Sequence, residues 1–327
     1  MRRTTTLNPR PVDRSEPTHF VLDSAFVEAG IATVRPRTTN ASRVVTVIAV
    51  VVPPLGLVSA AGLLWGVAVR PLDLVLLVGF YGLGAVGVTV GFHRHFAHRS
   101  FETTPSVRAV LAVLGCMAMQ GPLTQWVTDH RKHHALSDRE GDPHSPHLHD
   151  GVLGGLRGFA HAHISWLFSS KGMERGRDWG RDLYEDRLIR AIDRLYLVWV
   201  VLTIGLPFTV GLAWGGPAVG FEAMIWGGLL RIFLFQHATF SVNSICHLFG
   251  TRPYRSRDES RNNAVVALFT LGEGWHNNHH AFPSSARHGL GRGQLDLAWL
   301  VIRGLELLGL AWNVRRPDPR GLAARQR

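Results

Sequence analysis

Cysteine is nearly absent. The 327-residue chain has two, Cys116 and Cys246, both in apolar surroundings and with no C-x-x-C pair. That excludes a disulfide framework and a thiolate metal site, and both residues read as small buried thiols. Lysine is as scarce: Lys132 and Lys171 are the only two among 35 basic residues, which outnumber 24 acidic ones for a formal charge of +11. The arginine bias reads as a GC-rich coding preference. The basic residues flank apolar runs, so a membrane surface accounts for them better than nucleic acid does. An apolar leader is lacking too: residues 1–43 are polar, with scattered Pro and Thr, and do not read as a secretory signal.

What is plentiful is apolar length. Runs over 44–69 and 72–92 are each near the roughly 20 residues a bilayer requires, and form a first hairpin about Arg70-Pro71. Pro53-Pro54 should kink the first run. Runs over 192–214 and 217–234 form a second hairpin about Gly215-Gly216-Pro217, with the last helix continuing out of the membrane to about 249. Arg231 lies in that fourth run, and the cost of a charge at the bilayer centre places it near the interface. The stretch 107–120 is too short to span and suits a buried or interfacial segment. Residues 1–40 read as a mobile tail, 41–314 as one membrane domain and 315–327 as a basic tail. The turns after the first and third runs hold only Arg70, so both chain ends and the 91–190 and post-250 regions are expected in the cytosol.

Histidine is the other abundance. His93 and His98 have four residues between them, and His130, His133 and His134 repeat the i, i+3, i+4 spacing of His276, His279 and His280. On a helix that spacing puts three imidazoles on one face, with Cβ atoms roughly 5–6 Å apart. A lone histidine is commonly a packed or surface ring. Two such triplets and a pair, all on the cytosolic side, point to metal. Eight nitrogens exceed one ion's needs, so two metals are expected. Carboxylates at ligand spacing within the clusters are lacking, so a Glu-x-x-His bundle is not the match. His95, His144, His147, His149, His161, His163, His237 and His288 read as packing, surface or supporting residues, with His144 the foremost supporting candidate.

The words around these boxes are more specific. Gly91-Phe92-His93-Arg94, His98-Arg99-Ser100-Phe101, Trp126-Val127-Thr128-Asp129-His130-Arg131 and Asp142-Pro143-His144 resemble those of integral-membrane fatty-acyl desaturases of the Δ9, stearoyl-CoA desaturase-like family. So do Val242-Asn243-Ser244 with His247, and Gly272-Glu273-Gly274 with Asn277 and Phe282-Pro283. The resemblance covers about residues 44–314. It implies an all-α integral-membrane fold: four transmembrane helices in two hairpins, with a cytosolic helical cap holding a histidine-rich di-iron site. It implies two iron ions (Fe2+/Fe3+) on nine histidines, His247 being the ninth, with Asn243 acting through a water. His93, His98, His134 and His280, with Asn243, are expected on one iron, and His130, His133, His247, His276 and His279 on the other, so that 272–283 bridges the pair.

The resemblance also implies an acyl tunnel whose bend is lined by Gln120, Trp126 and Thr239, and a headgroup site at Asp129, Trp166 and Lys171. Thr128 and Ser170 stand where animal members carry arginine, so a membrane lipid stays open beside acyl-CoA as the acyl carrier. The expected reaction is O2-dependent formation of a cis double bond at Δ9, in a multi-pass protein of a bacterial cell membrane. An external donor would supply two electrons per turnover: a ferredoxin, a cytochrome b5-like protein or a flavoprotein reductase, docking on the basic cytosolic surface. Nucleic acid is not an expected partner. A histidine-rich membrane hydroxylase or ketolase is the sister alternative, separated by a hydroxy or keto product. A membrane metal carrier is the other, and would place its ligands within the spans.

Overall fold

The computed structural model describes residues 40–66, 69–168 and 176–327. The N-terminal tail up to residue 39, and Ser170 and Lys171 of the expected headgroup site, lie outside the described residues. The first helix, α1, runs Asn40–Gly66 with Pro53 and Pro54 inside it. The second, α2, runs Pro71–Ala97. Proline at its first position costs no hydrogen bond, and the Arg70 amide donates to Asp73 (3.1 Å) to close the entry turn.

Helix α3 (Pro105–Met117) is the short apolar segment foreseen between the hairpins, and it crosses α2 at two glycines. A Cβ on Gly87 would lie 2.2 Å from the Gly115 amide nitrogen, and one on Gly115 would lie 2.3 Å from the Phe92 ring. Helix α4 (Leu123–Leu136) carries the second histidine box, and α5 (Gly154–His163) follows a polar loop. Two short helices, α6 (Gly176–Glu185) and α7 (Arg187–Arg194), then lead into α8 (Tyr196–Gly215).

The third apolar run was expected from 192, but the helix breaks at Leu195. The reason is Asp193, whose carboxylate accepts the amide protons of Leu123 (2.9 Å) and Thr124 (3.1 Å), tying α7 to the start of α4. Helix α9 runs unbroken over Pro217–Leu248, as the expected extension requires. After it come α10 (Ala264–Phe269), α11 (His276–Ala281) and α12 (Leu297–Leu307). A two-stranded antiparallel pair, β1 (Glu102–Thr103) with β2 (Ala311–Trp312), joins the chain just after α2 to the chain just after α12.

Three of these helices, α2, α8 and α9, are long and apolar enough to cross a bilayer, and α1 carries a shorter apolar run, Thr46–Gly62. An ion pair, Arg70 with Glu222 (2.8 Å), ties the entry of α2 to the first turns of α9. Those two helices therefore start level, and their far ends carry His93 and His247. Arg231, expected near an interface, is packed inside the protein. Its guanidinium is fully buried, donating to the carbonyls of Gly227 (3.2 Å) and Met117 (3.3 Å) and to the hydroxyl of Thr203 (2.5 Å). Protein dipoles, not water, solvate the charge. The basic C-terminal residues form α13 (Pro319–Arg325), where Arg325 lies over the Phe282 ring (5.4 Å).

Candidate metal centre

The first box shows how local geometry makes a ligand pair. On an α-helix, residues five apart are about 140° apart around the axis. In α2 the last turns, Gly87–Ala97, are π-helical, and the His98 amide donates to the His93 carbonyl (3.1 Å). One widened turn thus brings the two imidazoles onto one face, edge to face with ring centroids 4.8 Å apart. Such π segments are frequent at functional sites. On α4, His130, His133 and His134 share a face, and on α11 so do His276, His279 and His280. His247 comes from the end of α9.

These nine rings form two groups. His93, His98, His130, His134 and His279 bring one nitrogen each within 4.8 Å of the others, and so do His133, His247, His276 and His280. The groups abut, with the His134 and His280 rings stacked at 4.3 Å. This grouping differs from the expected division between irons: His130 and His279 lie with His93, His98 and His134, while His280 lies with His133, His247 and His276. Adjacent residues differ by about 100° on a helix, so His133 and His134, and likewise His279 and His280, face different centres. The segment 272–283 still spans both groups.

The donor set fits metal. Nε2 meets Nε2 at 3.0 Å for His93 and His279, 2.8 Å for His98 and His130, 2.9 Å for His134 and His279, and 3.1 Å for His247 and His276. The Nε2 atoms of His133 and His280 are buried with no partner at all. Burial first, and then the neighbouring imidazoles, hold His98, His130, His134, His276 and His279 well below the ordinary imidazole range, so these rings are neutral. Neutral lone pairs crowded together in a dry interior are what a cation ligates.

The outer nitrogens explain the orientation. Nδ1 of His133 lies 2.9 Å from Asp142, that of His247 3.0 Å from Asp138, that of His280 2.6 Å from Asp258 and that of His93 2.5 Å from Glu273. Each ring donates Nδ1–H to its carboxylate and turns the Nε2 lone pair inward. Burial pushes these acids up, but the facing histidines outweigh it and keep Asp138, Asp142, Asp258 and Glu273 ionised. Glu273 also pairs with the buried Arg94 (3.1 Å), which reaches Asp296 (2.9 Å) in turn.

Asp138 and Asp258 escaped the sequence reading because each stands in a charged stretch that looks like a solvated surface. His288, a solitary histidine, gave no signal either. It is buried with its ring 4.4 Å from that of His279, and burial and Arg94 hold it near pH 4. His144 does support the site, with its ring 4.3 Å from that of His133.

Of the expected substrate residues, Trp126 is stacked on His130 (5.0 Å) and packs against Ala85, Val88, Ala118 and Phe235. It thus stands between the imidazoles and an apolar cluster of the spans. Gln120 has a buried, unpartnered side-chain nitrogen, and Thr239 donates to the Phe235 carbonyl (3.0 Å). Both oxygens of Asp129 accept from Gln125, and burial pushes Asp129 up to about 7. Trp166 has a buried indole N–H without a partner and lies 5.1 Å from the His144 ring. Asn243 is half-buried, one turn before His247.

A family model for fatty acid desaturases matches residues 71–304. The chain is 42% identical to a hex-5-enoyl-(acyl-carrier protein) acetylenase of Moorena producens, over 84% of this chain and 87% of that protein. It is 40% identical to an acyl-CoA C20 Δ5-desaturase of Anemone leveillei, over 72% and 71%. It is 38% identical to an sn-1 stearoyl-lipid 9-desaturase of Anabaena variabilis, over 75% and 84%.

Proposed function

The chain belongs to the fatty acid desaturase family, and from that premise we propose that it takes two hydrogens from neighbouring carbons of a saturated acyl chain, leaving a cis double bond at Δ9. It is an oxidoreductase of the desaturase class. The acyl carrier in this reading is CoA or a membrane glycerolipid. What supports the reading is one observation above the rest: two abutting imidazole clusters, their Nε2 atoms converging, at the shared end of α2 and α9.

His93, His98, His130, His134 and His279 would hold one iron, and His133, His247, His276 and His280 the other, with Asn243 steadying a water. When bound, the iron pair supplies an O2-derived oxidant able to take hydrogen from an unactivated CH2. The chain's own work is placement. Asp138, Asp142, Asp258 and Glu273 keep a proton on Nδ1 of their histidines and so fix each ring. Trp126, with Gln120 and Thr239, would bend the acyl chain beside His130 and keep water out. Asp129, Trp166 and Lys171 would meet the headgroup. A ferredoxin, cytochrome b5-like protein or flavoprotein reductase would deliver electrons at the basic surface. The scarcity of basic residues in the two short turns supports four spans, with the centre and both termini on the cytosolic side of a bacterial membrane.

The test is His279→Ala in a desaturase-deficient host. Monounsaturated lipid is expected to fall to the host background, and parent-level product refutes the assignment. Feeding stearoyl-CoA, stearoyl glycerolipid and stearoyl-acyl carrier protein to the purified protein identifies the carrier. Chromatography of the products separates alkene from alkyne, hydroxy and keto chains.

A further inference from the structure

Box three is preceded by a segment whose place differs from its neighbours. Residues 264–272, Ala-Val-Val-Ala-Leu-Phe-Thr-Leu-Gly, hold no charge, between Arg261 on one side and Glu273 on the other. The two ends of the segment meet where the Asn263 amide donates to the Gly274 carbonyl (2.8 Å), just before the histidines. Its far end lies elsewhere: the Tyr81 hydroxyl donates to the Phe269 carbonyl (2.6 Å). Tyr81 precedes His93 by twelve residues on α2, about three turns of helix. The segment therefore leaves the level of the histidines, descends beside an apolar helix long enough to cross a bilayer, and returns.

Its inner face packs on protein. Val266 joins Val242 and Cys246 of α9, and Leu271 packs against the cluster of Ala85, Val88, Ala118 and Phe235. The outer face is bare: Val265, Leu268 and Phe269 are 67%, 58% and 56% exposed. On α2 the apolar Leu74, Val75 and Val78 are bare in the same way. Several backbone groups of the segment are paired within the protein, without water. Besides Phe269, the Leu271 carbonyl accepts from Ala298 (2.9 Å), and the Thr270 amide (3.0 Å) and hydroxyl (2.6 Å) both reach the Val266 carbonyl. The Gly272 amide returns to the Ala267 carbonyl (2.8 Å), a turn that φ +115° at Gly272 allows. Non-helical backbone at membrane depth requires that kind of internal pairing.

We propose that residues 264–271 are a re-entrant segment set in the lipid leaflet on the metal-centre side, with Val265, Leu268 and Phe269 in contact with acyl chains. The occupant of this face is the bilayer's hydrocarbon, continuous with that around α2. The post-250 region then is not wholly in the aqueous phase, as its basic residues suggested. Box three is thereby anchored in the membrane a few residues before His276. The inference is independent of the reaction catalysed.

The test uses single cysteines in the full chain. Cys116 and Cys246 are both fully buried, so a thiol-reactive fluorophore is directed to the introduced site. Leu268→Cys, Phe269→Cys and Val265→Cys are compared in phosphatidylethanolamine/phosphatidylglycerol vesicles with Val78→Cys as the lipid reference. Arg181→Cys, from a side chain 83% exposed, is the aqueous reference. Labels on the segment are expected to be quenched by chain-nitroxide lipid as strongly as at Val78, at least twofold more than at Arg181, and to be shielded from iodide. Iodide quenching equal to that at Arg181 overturns the proposal. So does label-to-label excimer emission that survives dilution into excess lipid, since it marks a second copy on this face. Three positions keep the test decisive if one variant misfolds, and unchanged co-purifying metal certifies the others.

Discussion

In the four-histidine cluster, His133, His247 and His280 rest Nδ1 on Asp142, Asp138 and Asp258; in the five-histidine cluster, only His93 has such a carboxylate, Glu273, among the described residues. The Nδ1 atoms of His276 and His279 are buried without a partner. A carboxylate on Nδ1 fixes the ring and makes Nε2 a stronger donor. With iron bound as proposed, the smaller cluster would offset its lower ligand number with basicity and rigidity, while the larger would rely on number. The acids also reach outward: Asp138 accepts from the Glu259 amide (2.8 Å) and the Ser145 hydroxyl (2.7 Å), so the four-histidine cluster is stitched to the loops around it. The five-histidine cluster hangs on one internal knot, Glu273–Arg94–Asp296.

The largest effect should come from cutting that knot. Arg94→Met leaves Glu273 and Asp296 buried without their cation and is expected to cost about 3–5 kcal/mol, read as thermal unfolding of the detergent-solubilised protein. A loss under about 1 kcal/mol, the scale of a surface pair, would mean that Arg94 is not what ties the 273–296 region to α2. Next comes the contrast itself. Asp258→Asn should weaken metal at the four-histidine cluster by about 10–100-fold and spare the other, so that anaerobic Fe(II) titration separates into a tight and a weak phase. Equal weakening of both phases would break the comparison. Glu273→Gln should do the converse, weakening the five-histidine phase by a similar factor.

The smallest effect belongs to a carboxylate away from both clusters. Burial pushes Asp182 up, but hydrogen bonds from Arg131 and Arg99 outweigh it and bring it down to about 2. Its stabilisation is fully present above the unfolded carboxylate value of about 3.9 and is lost as pH falls towards 2. With Asp182 still 36% exposed, Asp182→Asn should cost less than about 1 kcal/mol. That cost should vanish in acid when the two proteins' unfolding curves are compared across pH.

Some of this was legible in the residues and some was not. The spacing at 130–134 and 276–280 put each triplet on one helical face, a candidate metal face, before any fold was known, because three and four residues are about one helical turn. The apolar runs announced α2, α8 and α9, since length and composition are properties of a single segment. The pair His93 and His98 was visible only as a word: as α-helix it would diverge, and the π-helical end of α2 makes it converge. The break at Leu195 depended on Asp193 finding the start of α4 seventy residues back. The burial of Arg231 was not legible because the oxygens that hold its guanidinium come from three helices.

The sequence by itself singled out the nine histidines that the fold brings together and roughly where along the helices they emerge, through spacing and hydropathy read one segment at a time and through the words around the boxes. Only the tertiary structure decided how the nine divide into five and four, which acids stand behind them, and where the uncharged stretch before box three is seated. Those outcomes depend on the rotation and depth of one helix against another. A turn of about 100°, one residue's worth, sends His279 to one centre and His280 to the other.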